Sequence, residues 1–265
     1  LTSSDAASLR QGRRIAFWAR DRFVGDPQQI AAGFHLDGSP LPGGAYFTPV
    51  NYPLFTQWLH TVLEVMPMGN WIQTAADVDG QSTDGLPSAS PRTASFTFDN
   101  ENHAVELGNV CVGAGGGKTL GFWSNKNGQS AMTNMGMSAA LTVLTGLNLK
   151  DAQGNDFNPA TYDQFRSWLL SATATNMAYM LSAQLAAMEL NVMSGSALGS
   201  AMVWDGSGFI RINDLMGAAN AALGADGYTP AGDSNRMAQE SLKTTLDRAN
   251  NNLNFVQPSP CAIVY

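Results

Sequence analysis

Two hydrophobic periods divide the chain. Ala94-Ser-Phe-Thr-Phe98 and His103-Ala-Val-Glu-Leu107 alternate apolar and polar positions on either side of Asp99-Asn-Glu-Asn102, which predicts a hairpin. The alternation runs on through Val110-Cys111-Val112 and ends in a glycine-rich stretch, after which Thr119 to Trp123 reads as strand then turn. Beyond Gly128 the apolar spacing lengthens to about 3.6 residues. Met132, Met135, Leu141, Val143 and Leu144 predict a helix weakened at Gly136. Asn158 as N-cap and Pro159 as first helical residue predict another, with Tyr162, Phe165, Trp168 and Leu169 on one face. A long helix follows from about Thr175 to Ser194-Gly195, carrying Met177, Met180, Leu181, Leu185, Met188 and Leu190. Its Met and Ala content suits close, adaptable helix packing. An Ala-rich helix from Asn213 or Asp214 to Gly224 comes next. The last helix starts at Asp233 or Ser234, is amphipathic through Met237, Leu242, Leu246 and Ala249, and frays at Asn250-Asn-Asn252. Pro258-Ser-Pro260 then leads into a terminal strand, Cys261-Ala262-Ile263-Val264-Tyr265.

The N-terminal third is patterned differently. Leu9, Ala16, Ala19 and Phe23 recur at helical spacing from a cap at Ser3 or Ser4 to about Val24, where Gly25-Asp26-Pro27 stops the run. Arg10, Arg13, Arg14, Arg20 and Arg22 make this stretch basic, suited either to an acidic partner or membrane surface or to an ordinary solvated face. Gly33 to Pro53 reads as ordered loop or short irregular strands. Pro53 then opens a helix with Leu54, Phe55, Trp58, Leu59, Val62 and Val65 on its apolar face and His60 and Glu64 one turn apart on the other. The acidic run Asp77 to Asp84 places Gly80 fourth rather than sixth, so a linker reaching Pro91 fits better than a calcium loop. A boundary falls near Arg92. The expected architecture is α+β: a helical and irregular segment over 1–92, then a β-hairpin and helices over 93–265, the small antiparallel sheet closed by the C-terminal strand.

Charge changes the picture. Only 13% of the 265 residues are Asp, Glu, Lys or Arg, about half the roughly 25% usual for soluble domains. The net charge of −7 argues against nucleic acid as a partner. No run of apolar residues is long enough to span a bilayer. Leu1 in place of Met fits a processed mature chain or a trimmed one. Lys and Glu are depleted where proteins bury surface against one another, so the weakly charged exterior suits either extensive self-contact or a neutral-polar secreted protein.

Candidate chemistry is sparse. Gly117-Lys118-Thr119 ends like a phosphate-binding loop, but Val112 stands where the first glycine belongs and no helix reads after it. The dinucleotide pattern fails as well, with Lys118 in its last glycine position. His35 beside Asp37 sits in a Gly/Pro loop, and the three histidines (His35, His60, His103) lie in unrelated contexts. The best metal candidate is Asp205 to Asp214. With Asp214 as twelfth residue of a calcium loop, Gly208 is sixth, Asp205 third, Ser207 fifth and Ile210 eighth, but the first position is Val203, which has no ligand atom. A degenerate loop that keeps the turn without Ca²⁺ is therefore expected; no other cofactor is indicated. Cys111 and Cys261, both in strand-like runs, are predicted to form a disulfide in an oxidising compartment, the alternative being two buried thiols.

Three phrases carry a resemblance: GNVCVGAGGGKTLGFWSNKNGQ from Gly108, DFNPATYDQFRSWLLSATATNMAYMLSAQLAAMELNV from Asp156, and LDRANNNLNFV from Leu246. Over roughly residues 105–256 the chain resembles a recurrent region of secreted, cell-surface bacterial proteins, often found after immunoglobulin-like or prealbumin-like β modules of the adhesin type. The resemblance implies export and a structural or adhesive setting, and it carries no catalytic residues over.

These features together point to a secreted structural subunit, not an enzyme, that associates with copies of itself into an extracellular filament or surface layer. The strand Ala262-Ile263-Val264-Tyr265 is the expected contact, because an unpaired strand is a template for a neighbour's sheet edge. The alternatives are a carbohydrate-binding or adhesive module that presents Trp and Asn to surface glycans, and a glycan hydrolase using two carboxylates.

Overall fold

The structure, a computed structural model, describes residues 11–18, 22–24, 34–36, 39–40, 59–64, 69–97, 103–257 and 261. It is α+β, and the chain divides into two compact units: Leu1–Cys111 with Gln257–Tyr265, and Val112–Val256. Composition alone changes earlier, near Arg92.

The first unit is built on strands. In chain order these are β1 (Gln11–Trp18), β2 (Arg22–Val24), β3 (Phe34–Leu36), β4 (Ser39–Pro40), β5 (Leu59–Glu64), β6 (Trp71–Val78), β7 (Gln81–Ser82), β8 (Thr93–Thr97) and β9 (His103–Gly113). The long β9 pairs antiparallel with β1 on one side, from Gln11↔Asn109 to Phe17↔His103, and with β6 on the other, from Trp71↔Cys111 to Val78↔Val105. A second sheet runs in the order β4-β3-β5-β8. Val105, Leu107, Val110 and Cys111 are buried along β9, as are Trp71, Ile72, Ala75 and Ala76 along β6.

Four expectations for this part of the chain need correction. The helix expected up to Val24 is replaced by β1 and β2: Ile15, Phe17 and Trp18 favour a pleated strand, and β9 supplies the partner. Helical spacing of a few apolar residues in a polar stretch is weak evidence against such pairing. The helix expected after Pro53 contains strand β5 instead, held between β3 and β8. The expected linker after Asp77 is an ordered hairpin in which Asp77 pairs with Ser82 and Val78 with Gln81. Its turn, Asp79-Gly80, has φ of 51° and 79°, the two left-handed residues that a two-residue hairpin turn demands. The polypeptide stays tied down beyond it, where Gln73 and Ser88 exchange backbone hydrogen bonds of 2.8 and 2.9 Å. Finally, β8 and β9 are strands as expected, but they are not each other's partner: β8 pairs with β5 in the second sheet.

The second unit is mostly helical. It contains α1 (Leu120–Trp123), α2 (Lys126–Met135), α3 (Met137–Thr145), α4 (Tyr162–Leu170), α5 (Met177–Met193), β10 (Met202–Trp204), β11 (Phe209–Arg211), α6 (Ile212–Ala225), α7 (Arg236–Asn250) and β12 (Phe255–Val256). The end of β9 pairs with β12 at Gly113↔Phe255 and Val112↔Val256, and β12 pairs in turn with β10 at Phe255↔Val203. The central element is α5. Asn176 caps it, its side chain accepting from the Ala178 N–H, and thirteen of its residues are buried, Met177, Leu181, Leu185, Met188 and Leu190 among them. Its apolar residues surround the axis rather than form a stripe, as a helix packed on several sides requires.

Three boundaries shift. The strand expected at Thr119–Trp123 is the short helix α1, whose cap Thr119 accepts from the Phe122 N–H through its hydroxyl. Helix α4 begins at Tyr162 behind Thr161, not at Pro159, because the Thr161 hydroxyl accepts from the Gln164 N–H. Gly136, with φ of 92°, does more than weaken a helix: it divides α2 from α3. The proposed assembly strand, Ala262-Ile263-Val264-Tyr265, lies outside the described residues.

Candidate functional site

The glycine-rich stretch between β9 and α1 is the natural place to look for bound chemistry, and its backbone is already engaged. The N–H groups of Gly115 and Gly117 both donate to Asn252 Oδ1, at 3.1 and 2.8 Å, and Asn252 Nδ2 returns a bond to the Gly117 carbonyl at 2.8 Å. One residue on, Lys118 N donates to Asn191 Oδ1 and Asn191 Nδ2 donates to the Lys118 carbonyl, each at 3.0 Å. Side-chain amides thus occupy the donors a phosphate would need, which is the physical reason the phosphate-loop reading fails.

Close approach explains the glycines. A Cβ on Gly116, which has φ of 91°, would lie 1.6 Å from the Ser196 carbonyl oxygen, and one on Gly117 would lie 2.1 Å from that of Ala249. The loop is pressed between the chain leaving α5 and the end of α7.

Asn191 is also the hub of a directed chain of hydrogen bonds through the interior. Trp123 Nε1 donates to Asn191 Oδ1 at 3.1 Å, and Asn191 Nδ2 donates to Asn250 Oδ1 at 2.8 Å. Asn250 Nδ2 donates to Gln184 Oε1 at 2.8 Å, and Gln184 Nε2 to Asp247 Oδ1 at 3.0 Å. Every donor points toward the carboxylate at the end. Because Asp247 Oδ1 accepts at the end of the chain, it sets which way each amide before it is turned. Helix geometry makes the chain possible: Gln184 and Asn191 are two turns apart on α5, and Asp247 and Asn250 one turn apart on α7. The arrangement joins α1, α5 and α7 through neutral side chains that end on a single carboxylate, so it can hold parts together.

The Asn run at the end of the chain therefore has a role that its local pattern hides. Asn250 to Asn252 reads as a fraying terminus, whereas Asn250 is fully buried and Asn252, at φ of 60°, fills the glycine loop. Asn254 is buried too, its Nδ2 donating to the carbonyls of Trp204 and Thr245. The only signal in the sequence was the density of Asn itself.

The two cysteines pair: Cys111 and Cys261 form a disulfide with Cα atoms 6.0 Å apart. Asp205 and Ser207 lie in the turn between β10 and β11, and Asp214 lies on α6. Asp205 Oδ1 accepts from Ser207 N, Ser207 Oγ and Gly208 N at 2.7, 3.0 and 2.6 Å, which turns the hairpin between β10 and β11. Asp214 lies in the first turn of α6, where the helix dipole favours a negative charge. Among the described residues no three His, Cys, Asp or Glu side chains assemble as a metal site. His35 and His60 lie in the paired strands β3 and β5, and Asp37 lies outside the described residues.

No family model, curated protein or solved structure matches the chain. Its function therefore has to be read from its own residues.

Burial raises the Tyr179 hydroxyl, which donates to the Trp168 carbonyl, with a further push from Asp151. Burial also raises Tyr162, whose hydroxyl donates to the carbonyls of Trp123 and Asn125 at 3.1 and 2.8 Å; Arg166 opposes that rise and Asp163 adds to it. Both phenols serve as fixed donors to backbone carbonyls within the helical unit. Glu189 on α5 is raised by burial alone.

Proposed function

We propose that the chain is a secreted structural subunit that associates with copies of itself into an extracellular filament or surface layer. One observation carries the reading: a weakly charged chain leaves large apolar side chains uncovered at both ends of its helical unit. Met237 is 81% exposed, Leu170 58% and Tyr228 53%. Arg236 draws their segments together, donating to the carbonyls of Thr229 and Ala174 at 2.9 and 2.8 Å, close to where α5 begins. Leu198, 67% exposed, follows the other end of α5, about 25 Å away at 1.5 Å per residue. Unlike apolar surfaces at opposite ends favour head-to-tail contact, which propagates unless the rotation closes a ring.

The disulfide supports an oxidising, extracellular setting. No helix among the described residues is long and apolar enough to cross a membrane. The glycan-binding alternative gains less, because Trp71, Trp123, Trp168 and Trp204 are buried along with Asn176, Asn191, Asn250 and Asn254. A surface built to stack on sugars needs such groups outside.

The test is the mass of the full chain by light scattering across a concentration series, with electron microscopy of the same samples. Mass that rises with concentration, extended particles, and loss of both on Met237→Lys with Leu170→Lys are expected. A monomer at every concentration would remove the proposal.

A further inference from the structure

The disulfide stands at the neck of the helical unit. Cys111 is the last residue of the first unit before the chain passes into the second, and the chain returns to the first unit at Gln257, whose N–H donates to the Cys111 carbonyl at 3.0 Å. Immediately inside this point the two strands of the helical unit are paired at only two positions, Val112↔Val256 and Gly113↔Phe255. They are antiparallel, so both ends of a 145-residue insert emerge side by side.

That geometry is mechanically weak. A pull applied to the chain on either side of the insert separates the two strands from one end, and their hydrogen bonds break one after another rather than sharing the load. Behind them the Asn252 and Asn191 side chains hold the glycine loop, and Gly115 packs against Phe255, where an added Cβ would lie 2.1 Å from the ring. Strand β12 is also tied to β10 by the Val203↔Phe255 pair and by Trp204 N, which donates to the Asn254 carbonyl. The Cys111–Cys261 bond lies just outside the first pair and closes a loop with a sequence separation of 150.

We infer that the disulfide is a load bypass: tension along the chain crosses from Cys111 to Cys261 through the sulfur–sulfur bond, and the helical unit carries none of it. The weakest direction of the inserted unit is thus never loaded while the bond is intact. Reduction changes the path. Two thiols of a reductant supply two electrons and two protons, the disulfide becomes two cysteine thiols, and the reductant becomes its own disulfide. Tension then enters at Val112 and leaves at Val256. The inference stands on the connectivity of a single chain and does not depend on self-association.

Optical-tweezers extension of single full-length molecules, held at both termini, tests it with and without dithiothreitol. An oxidised molecule is expected to stop short of a reduced one by about 500 Å, the span of roughly 150 extended residues at 3.3–3.6 Å each. In the reduced molecule that extra length should be the first to appear as force rises, because the neck opens by unzipping. A second measurement adds dithiothreitol while an oxidised molecule, its first unit already extended, is held at a force below that first release. A delayed release is expected, since the helical unit is still folded inside the closed loop. Three results would each overturn the inference: equal final lengths, a release in the reduced molecule only after the first unit has extended, or an immediate release on reduction. The double substitution Cys111→Ser with Cys261→Ser should repeat the reduced trace without reductant; reduction of the folded wild-type chain in the trap gives the same reading if that variant does not fold.

Discussion

In the helical unit, Val112–Val256, six of the ten buried polar side chains are amides; Gln184, Asn191 and Asn250 bond to one another, and Asn191 bonds to the end of the glycine-rich loop as well. In the strand-built unit, Leu1–Cys111 with Gln257–Tyr265, ladders of backbone pairs and one covalent bond make the long-range links, with side-chain bonds such as Arg92 N to Gln73 Oε1 and Ser82 Oγ to Asp77 Oδ1 beside them. Asn191, Asn250 and Gln184 sit where burial would demand a partner for any charge, and being neutral they need only be hydrogen bonded. Strand ladders satisfy themselves, but a few short ones hold distant parts of a chain weakly, and there the disulfide contributes. A chain with few charges can therefore be held together in two ways, by interior amides where helices pack and by a sulfur bridge where short strands meet.

The largest effect should come from closing the space under the glycine loop. Gly116→Ala forces a side chain both into the Ser196 carbonyl and into a left-handed backbone, and should prevent the helical unit from folding, a loss above about 4 kcal/mol. Gly80→Ala in the strand-built unit meets nothing within 4 Å and should cost only about 1 kcal/mol for its backbone. Near-ultraviolet circular dichroism of the two variants compares them directly. Equal losses would erase the contrast between the units.

Next comes the disulfide. Chain entropy alone gives about 5 kcal/mol for a loop of this length. That figure assumes a flexible loop, whereas an insert that stays folded, with adjacent ends, already closes most of it. Reduction should therefore lower the melting of the strand-built unit by less than about 5 kcal/mol and leave the helical transition in place. Calorimetry showing both transitions shifted equally would mean the two units do not unfold separately.

Asn191→Leu should cost about 3 kcal/mol, because Lys118 N, Trp123 Nε1 and Asn250 Oδ1 lose their partner together. Denaturant unfolding followed by Trp fluorescence measures it, and a loss under about 1 kcal/mol would show that water replaces the amide there.

The smallest effect concerns Glu189. Burial raises its carboxyl in the folded chain, so its favourable contribution is complete below the unfolded value of about 4.5 and disappears as pH rises through the higher folded value. Glu189→Gln should flatten that slope and raise melting at pH 7 by on the order of 1 °C, since solvent screens a partly exposed group. No change between pH 4 and pH 7 in either protein would remove Glu189 from the account.

Local pattern and tertiary context had separate say in this chain. The helix α5 was visible because Met, Leu and Ala recur along it from turn to turn, a property of neighbouring residues alone. The alternating strand through Cys111 was visible for the same reason, and two cysteines in strand-like runs made a single bridge the natural pairing. The strands β1 and β5 were not visible, since each owes its state to partners far along the chain, β9 for one and β3 with β8 for the other. Nor was the candidate site. Asn250 and Asn252 look like a frayed end until α5 and the glycine loop are brought beside them, because a hydrogen bond is decided by where its acceptor lies in space. Periodicity, caps and turn residues act over a few neighbours and can be read from the sequence. The pairing of strands, and the difference between an exposed amide and a buried lock, depend on contacts from about thirty to a hundred and fifty residues apart and were decided only by the tertiary structure.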